Sequence, residues 1–150
     1  MKKNLPLLFL FSLISICTIA QKSLEGLWVG TITDGIGSTS GYKFEMIIEI
    51  EDKTIKGRSF VHISPDEIIE MELSGRMYED RSIYMRDIQF IPTAGKEVPP
   101  PFNRKYQFAY DRSIWKSTLE GYWQEVRGDT FNPKRQRGKI ILKKVGNSKA

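Results

Sequence analysis

Few side chains in this sequence are equipped for chemistry, and each can be weighed against its neighbours. His62 is the only histidine, and Asp66 and Glu67 follow it closely. One histidine excludes a multi-histidine metal site, and a Ser-His-Asp arrangement would have to be built around this residue alone. Along TIKGRSFVHIS, His62 alternates in step with Lys56 and Arg58, so it reads as a solvated group on a polar face. Glu25 and Glu120 occupy the same place in two near-identical phrases, LEGLW at Leu24–Trp28 and LEGYW at Leu119–Trp123. Two carboxylates could divide acid and base work in glycoside hydrolysis, but both alternate with apolar positions and should face outward. The glycine-rich DGIGSTSG, Asp34–Gly41, lacks the lysine and following helix that a phosphate-cradling loop needs. The sequence points to no catalytic residue, no metal and no cofactor.

The start of the chain, MKKNLPLLFLFSLISICTIAQ, has the layout of a secretory signal peptide: Lys2 and Lys3, an apolar run from Leu5 to Ile16, then Thr18-Ile19-Ala20 before Gln21. Cleavage after Ala20 sends the protein to the periplasm or the exterior. Cys17, the only cysteine, leaves with the signal. Ile16 before it is too bulky for a lipoprotein site. Without a thiol, the remaining chain has no disulfide and no thiolate site, and must be held by its core. Residues 21–150 are the right length for a single domain. Loss of Lys2 and Lys3 takes the formal charge from +5 to +3. The charge is unevenly spread: Glu45–Asp80 carries ten acids against four bases, and Arg127–Lys144 seven bases against one acid.

Positioning any of these groups falls to strands, because apolar residues recur at every second position. In GYKFEMIIEIE, Tyr42, Phe44, Met46, Ile48 and Ile50 share one face, and Lys43, Glu45, Glu49 and Glu51 the other. The same pattern predicts strands at Leu24–Thr33, Thr54–Ile63, Glu67–Tyr78, Arg81–Ile91, Arg104–Tyr110, Thr118–Val126 and Lys139–Val145, with no helix. Eight strands with short connections predict an all-β, antiparallel up-and-down barrel, whose closure hides its edges. Glycines inside strands mark bends or close approaches. Gly26 and Gly121 in the two phrases, with Gly57 and Gly75, read as kinks that curl the sheet.

Gly26-Leu27-Trp28 at the head of a predicted meander resembles the G-x-W of the calycin barrels, the lipocalins and avidins. With Gly30 and the later Leu119-Glu120-Gly121-Tyr122-Trp123, the chain looks still more like small exported barrels of Gram-negative bacteria that begin G-x-W-x-G. The resemblance implies a calycin-like barrel able to hold a small, mostly apolar ligand. Two family features are missing. Lipocalins cover the tryptophan with an arginine from the last strand, where this chain has only Lys139, Lys143 and Lys144, and many carry disulfides.

In such a meander the long connections Asp34–Gly41, Pro92–Asn103 and Arg127–Gly138 gather at one rim, where a rigid scaffold presents recognition loops. The expected ligand contacts are Trp28, Tyr42, Phe102, Arg104, Trp123, Arg127, Phe131, Lys134, Arg135 and Arg137. A basic, aromatic mouth suits a small molecule or an anionic glycan. Export and the acidic remainder argue against nucleic acid. The expected function is a monomeric, non-enzymatic binding module. A filled barrel would instead point to a protein-interaction or envelope-assembly role with a protein partner. An outer-membrane barrel, with its apolar face turned to lipid, is the other alternative. Inside the barrel, Ser59 and Tyr110 are the polar side chains expected among apolar neighbours.

Overall fold

The computed structural model describes residues 23–52, 54–92, 99–100, 103–113, 116–126 and 136–146. Eight strands follow one another: β1 Gly26–Thr33, β2 Gly41–Glu51, β3 Thr54–Ser64, β4 Glu67–Met77, β5 Ser82–Ile91, β6 Asn103–Asp111, β7 Thr118–Val126 and β8 Arg137–Lys144. Each pairs antiparallel with the next, and β8 returns to β1, closing an up-and-down barrel. No described residue is helical. This agrees with the calycin-like architecture that Gly26-Leu27-Trp28 implied.

Alternation produces the core. Every strand turns its even-step apolar residues inward, among them Trp28, Phe44, Ile55, Leu73, Met85, Tyr106, Leu119 and Leu142, all nearly inaccessible. Outward positions carry the charges. The β2–β3 and β4–β5 turns are tight enough to hold Asp52 and Arg81 in left-handed backbone (φ 57° and 64°).

The two phrases solve different problems, which corrects the expectation of one shared bend. Gly26 has φ 119°, a conformation that disfavours any side chain. Gly121 has no such angle; a methyl group there would collide with the Gln107 carbonyl of β6. Close approach in the first phrase's strand falls instead to Gly30, which meets the Ile141 carbonyl of β8 in the same way. Gly57 and Gly75, also read as kinks, are likewise crowded by neighbouring backbone.

The barrel is filled. In an eight-stranded ring β2 and β6 lie opposite one another, yet the Phe44 and Tyr106 rings meet with centroids 5.9 Å apart. Nearer the short-loop end, Trp28 of β1 meets Tyr110 of β6 edge-on at 6.0 Å. That end is sealed by the segment before β1. Leu24 is fully buried, and its carbonyl accepts the Trp28 indole N–H at 2.8 Å. The Ser23 hydroxyl meets the Tyr110 hydroxyl at 2.8 Å. Leu24, expected inside the first strand, therefore precedes it and acts as a plug.

Candidate functional site

Beyond Ser59 and Tyr110, which were expected inside and are buried, three charged side chains break the expected apolar interior. Asp87, Arg104 and Glu125 point inward and are buried. They sit toward the long-loop end, and register explains their presence there. Pairing of β5 with β6 stops at Arg86–Lys105. At the next step, the Arg104 backbone N–H donates to the Asp87 carboxylate at 2.7 Å, so a side chain continues the ladder where backbone pairing has ended. The β7–β8 seam ends alike. Past Gln124–Arg137, Glu125 N–H donates to the Gln136 carbonyl at 2.8 Å, and Gln136 N–H donates to the Glu125 carboxylate at 2.9 Å. At the β8–β1 seam, Lys139 N–H donates to the Thr33 hydroxyl at 2.8 Å.

Arg104 lies between the two acids in register, directly opposite Glu125 on β7, with its guanidinium 5.3 Å from the centroid of the Trp123 ring. The Trp123 indole N–H reaches across β8 to the Thr33 carbonyl at 2.8 Å. Gly138 makes that reach possible, since a methyl group there would overlap the indole nitrogen. Tyr106 donates its hydroxyl to Asp87 at 2.9 Å, and buried Ser59 faces the same pair. Burial pushes the Asp87 carboxyl up to about 6 against the pull of the Arg104 N–H, the Tyr106 hydroxyl and the Arg104 charge. Burial likewise raises the Tyr106 phenol well above its usual range, so it is a neutral donor. These groups close seams.

Of the predicted site residues that are described, Tyr42, Arg104, Trp123 and Arg137 lie toward the long-loop end. Trp28, expected to pack or line the interior, is fully buried toward the short-loop end. Arg104 and Trp123 are buried within the seam network just described. Tyr42 sits at the long-loop rim, opposite Ile32 and 39% exposed. Arg137, expected in a loop, is the first residue of β8 and lies exposed on the outer wall. Phe102, Arg127, Phe131, Lys134 and Arg135 lie outside the described residues. Glu120 faces out as expected, whereas half-buried Glu25 accepts the Ile50 N–H at 3.3 Å. His62 is on the outer face but only 21% exposed at its side chain, 3.5 Å from the Glu45 carboxylate, so it is less solvated than the sequence suggested.

Open space lies outside the barrel, over β5 to β8. A cleft of about 380 Å³ is lined by Ile36, Tyr84, Lys105, Gln107, Tyr122, Trp123, Gln124 and Arg137. A second, of about 390 Å³, shares Tyr84, Gln107 and Tyr122 and continues to Tyr78, Ala109 and Glu120. Register arranges the wall in rows. One row runs Arg76, Tyr84, Gln107, Tyr122, Lys139, and the next runs Arg86, Lys105, Gln124, Arg137. No acid interrupts either row. The opposite wall is different: Glu45, Glu51 and Glu70 of β2 and β4 engage Lys43, Lys56, Arg58 and His62. The uneven charge along the chain has become two unlike sides of one cylinder.

Among the described residues no group of His, Cys, Asp and Glu has metal-site geometry. No described helix is long and apolar enough to cross a membrane. Comparison with known protein families, with characterised proteins and with solved structures gives no match.

Proposed function

We propose that this chain is an exported, non-enzymatic binding module that recognises an anionic ligand with its exterior, the barrel itself being a filled scaffold. The contact that carries this reading is Phe44 against Tyr106, 5.9 Å across the barrel, in the space where a lipocalin-type protein would lodge an apolar molecule. Eight-stranded barrels are just wide enough for side chains to occupy that space. Charged residues on the outside and apolar ones within are the reverse of a lipid-embedded barrel, which favours a protein in water. Kinship with the lipocalins, avidins or exported Gram-negative barrels rests on Gly26-Leu27-Trp28 and Gly30 and fits this scaffold role. The protein acts as a monomer in this reading.

The filled interior also favours a second role, as an envelope-assembly module whose partner is a protein. Native mass spectrometry of the protein purified from its own cell envelope separates the roles. The expected species is the monomer with a retained anionic compound. A co-purifying protein in fixed ratio would select the second role, and a retained apolar molecule shielded from solvent would refute the filled scaffold.

A further inference from the structure

The strongest unassigned feature is the outer wall of β5 to β8, and from it we infer a binding site for an acidic polysaccharide, with its sugar rings on Tyr84 and Tyr122 and its acid groups on Lys105, Arg137 and Lys139. The inference rests on the anion-binding reading above and names the ligand class.

Geometry comes first. Tyr84 pairs with Gln107, and Gln107 with Tyr122, so the two tyrosines flank one amide on a single row. Adjacent strands lie about 4.8 Å apart, which separates the two phenol-bearing strands by roughly 10 Å. That interval is close to the length of a disaccharide, so alternate rings of a chain laid across the strands would reach both tyrosines. Pyranose rings present C–H faces that pack on an aromatic ring, and Gln107 and Gln124 offer donors and acceptors for hydroxyl groups. Tyr122 is 54% exposed although it lies mid-strand, where a purely structural position would more often be polar.

Charge supplies the second argument. Lys105 and Arg137 border the Tyr84–Tyr122 row on the long-loop side, and Lys139 ends it beside Tyr122. The Lys43–Glu45, Lys56–Glu51, Arg58–Glu70 and His62–Glu45 pairs sit on β2 to β4 and take in none of these three cations. Glu120 lies on the short-loop side of the tyrosines, so an acidic chain is held toward the long-loop side. A signal peptide would deliver the protein to compartments where acidic glycans are abundant, which favours sugar over nucleic acid for this mixture of rings and cations.

The test is isothermal titration of the mature chain with polygalacturonate, neutral dextran, polyphosphate and single-stranded DNA at physiological salt. Polygalacturonate should bind best and dextran weakly. The Tyr84→Ala, Tyr122→Ala double variant should lose about tenfold in polygalacturonate affinity, two ring contacts' worth, and less than about twofold for polyphosphate. Tyr122→Phe should retain binding, and an unchanged melting curve shows that the barrel persists. If polyphosphate binds as tightly as polygalacturonate and the tyrosine changes are silent, the glycan site is refuted while anion binding stands. If single-stranded DNA binds best, the ligand class is wrong. If no polyanion binds, the anion-binding reading fails as well.

Discussion

The two ends of the barrel use the same tryptophan device in opposite surroundings. Trp28 and Trp123 each donate an indole N–H to a backbone carbonyl at 2.8 Å, Leu24 in one case and Thr33 in the other. Each carries a cation over its ring: Lys144 at 6.0 Å from the Trp28 centroid, Arg104 at 5.3 Å from that of Trp123. At the short-loop end the carbonyl belongs to a plug of preceding chain, and the packing is apolar. At the long-loop end it belongs to β1, on the far side of β8, and the seams are finished by Asp87 and Glu125. The echo of LEGLW in LEGYW thus marks a common way of tying down a barrel end. What differs is the remaining closure: apolar chain seals one end and carboxylates the other.

The widest separation between the ends should appear on removing the rings. Trp28→Ala leaves a large hole in a sealed apolar plug and should cost toward the upper part of the roughly 3–5 kcal/mol typical of such truncations. Trp123→Ala lies nearer the rim, where water can fill part of the space, and should cost toward the lower part of that range. Chemical denaturation of both variants measures the difference. If Trp123→Ala proves the more damaging, the carboxylate end is the true anchor of the barrel and the contrast drawn here is inverted.

That contrast was only half legible in the sequence. Alternation located all eight strands because a period of two survives any register, whereas Gly57, Gly75 and Gly121, read as kinks, mark close approaches of neighbouring backbone. The Trp28 cover was not foreseen: the lysines of the last strand were read only as lacking an arginine, yet Lys144 lies over the ring. Asp87 and Glu125 were readable in principle, since both fall on the inward parity of their strands, Asp87 after Ile83 and Met85, and Glu125 after Leu119 and Trp123. What parity could not reveal is that the neighbouring strand leaves a backbone N–H over beside each of them, which makes an inward acid useful. The wall site was hidden for a related reason. Tyr84, Gln107 and Tyr122 come together only through the register of three strands, and loop length drew attention to the rim instead.

The carboxylate end should also be sensitive to pH. Burial holds the Asp87 carboxyl near 6 in the folded barrel against 3.8 when unfolded, so the folded state binds its proton more tightly. The associated stability is fully present below about pH 4 and is lost as pH rises through about 6. A shift of this size corresponds to about 3 kcal/mol at most. Asp87→Asn removes the titration and keeps an oxygen to accept from Tyr106 or Arg104. The stability of the parent relative to Asp87→Asn should therefore increase by up to that amount as pH falls from 7 to 4. A difference that stays flat would mean that the carboxylate is solvated and the seam open.

The smallest effect is expected at the apolar end, from Lys144. Lys144 donates to the Ser23 carbonyl at 2.6 Å as well as lying over Trp28, and its stem borders Gly26. Burial lowers the Lys144 pKa, while the charge of Glu25 acts in the opposite direction. Lys144→Met preserves most of the stem and removes the charge and one hydrogen bond. A partly exposed cation over a ring contributes about 0.5–1 kcal/mol, and a hydrogen bond about as much, so the loss should be near 1 kcal/mol. Because the plug is held chiefly by Leu24 and Trp28, the variant should keep the indole fluorescence of the parent and unfold in a single transition. A loss several times larger, with Trp28 newly accessible to an aqueous quencher, would mean that the lysine pins the plug. The apolar end would then depend on a buried charge as its counterpart does, and the two ends would differ only in the sign of the charge that closes them.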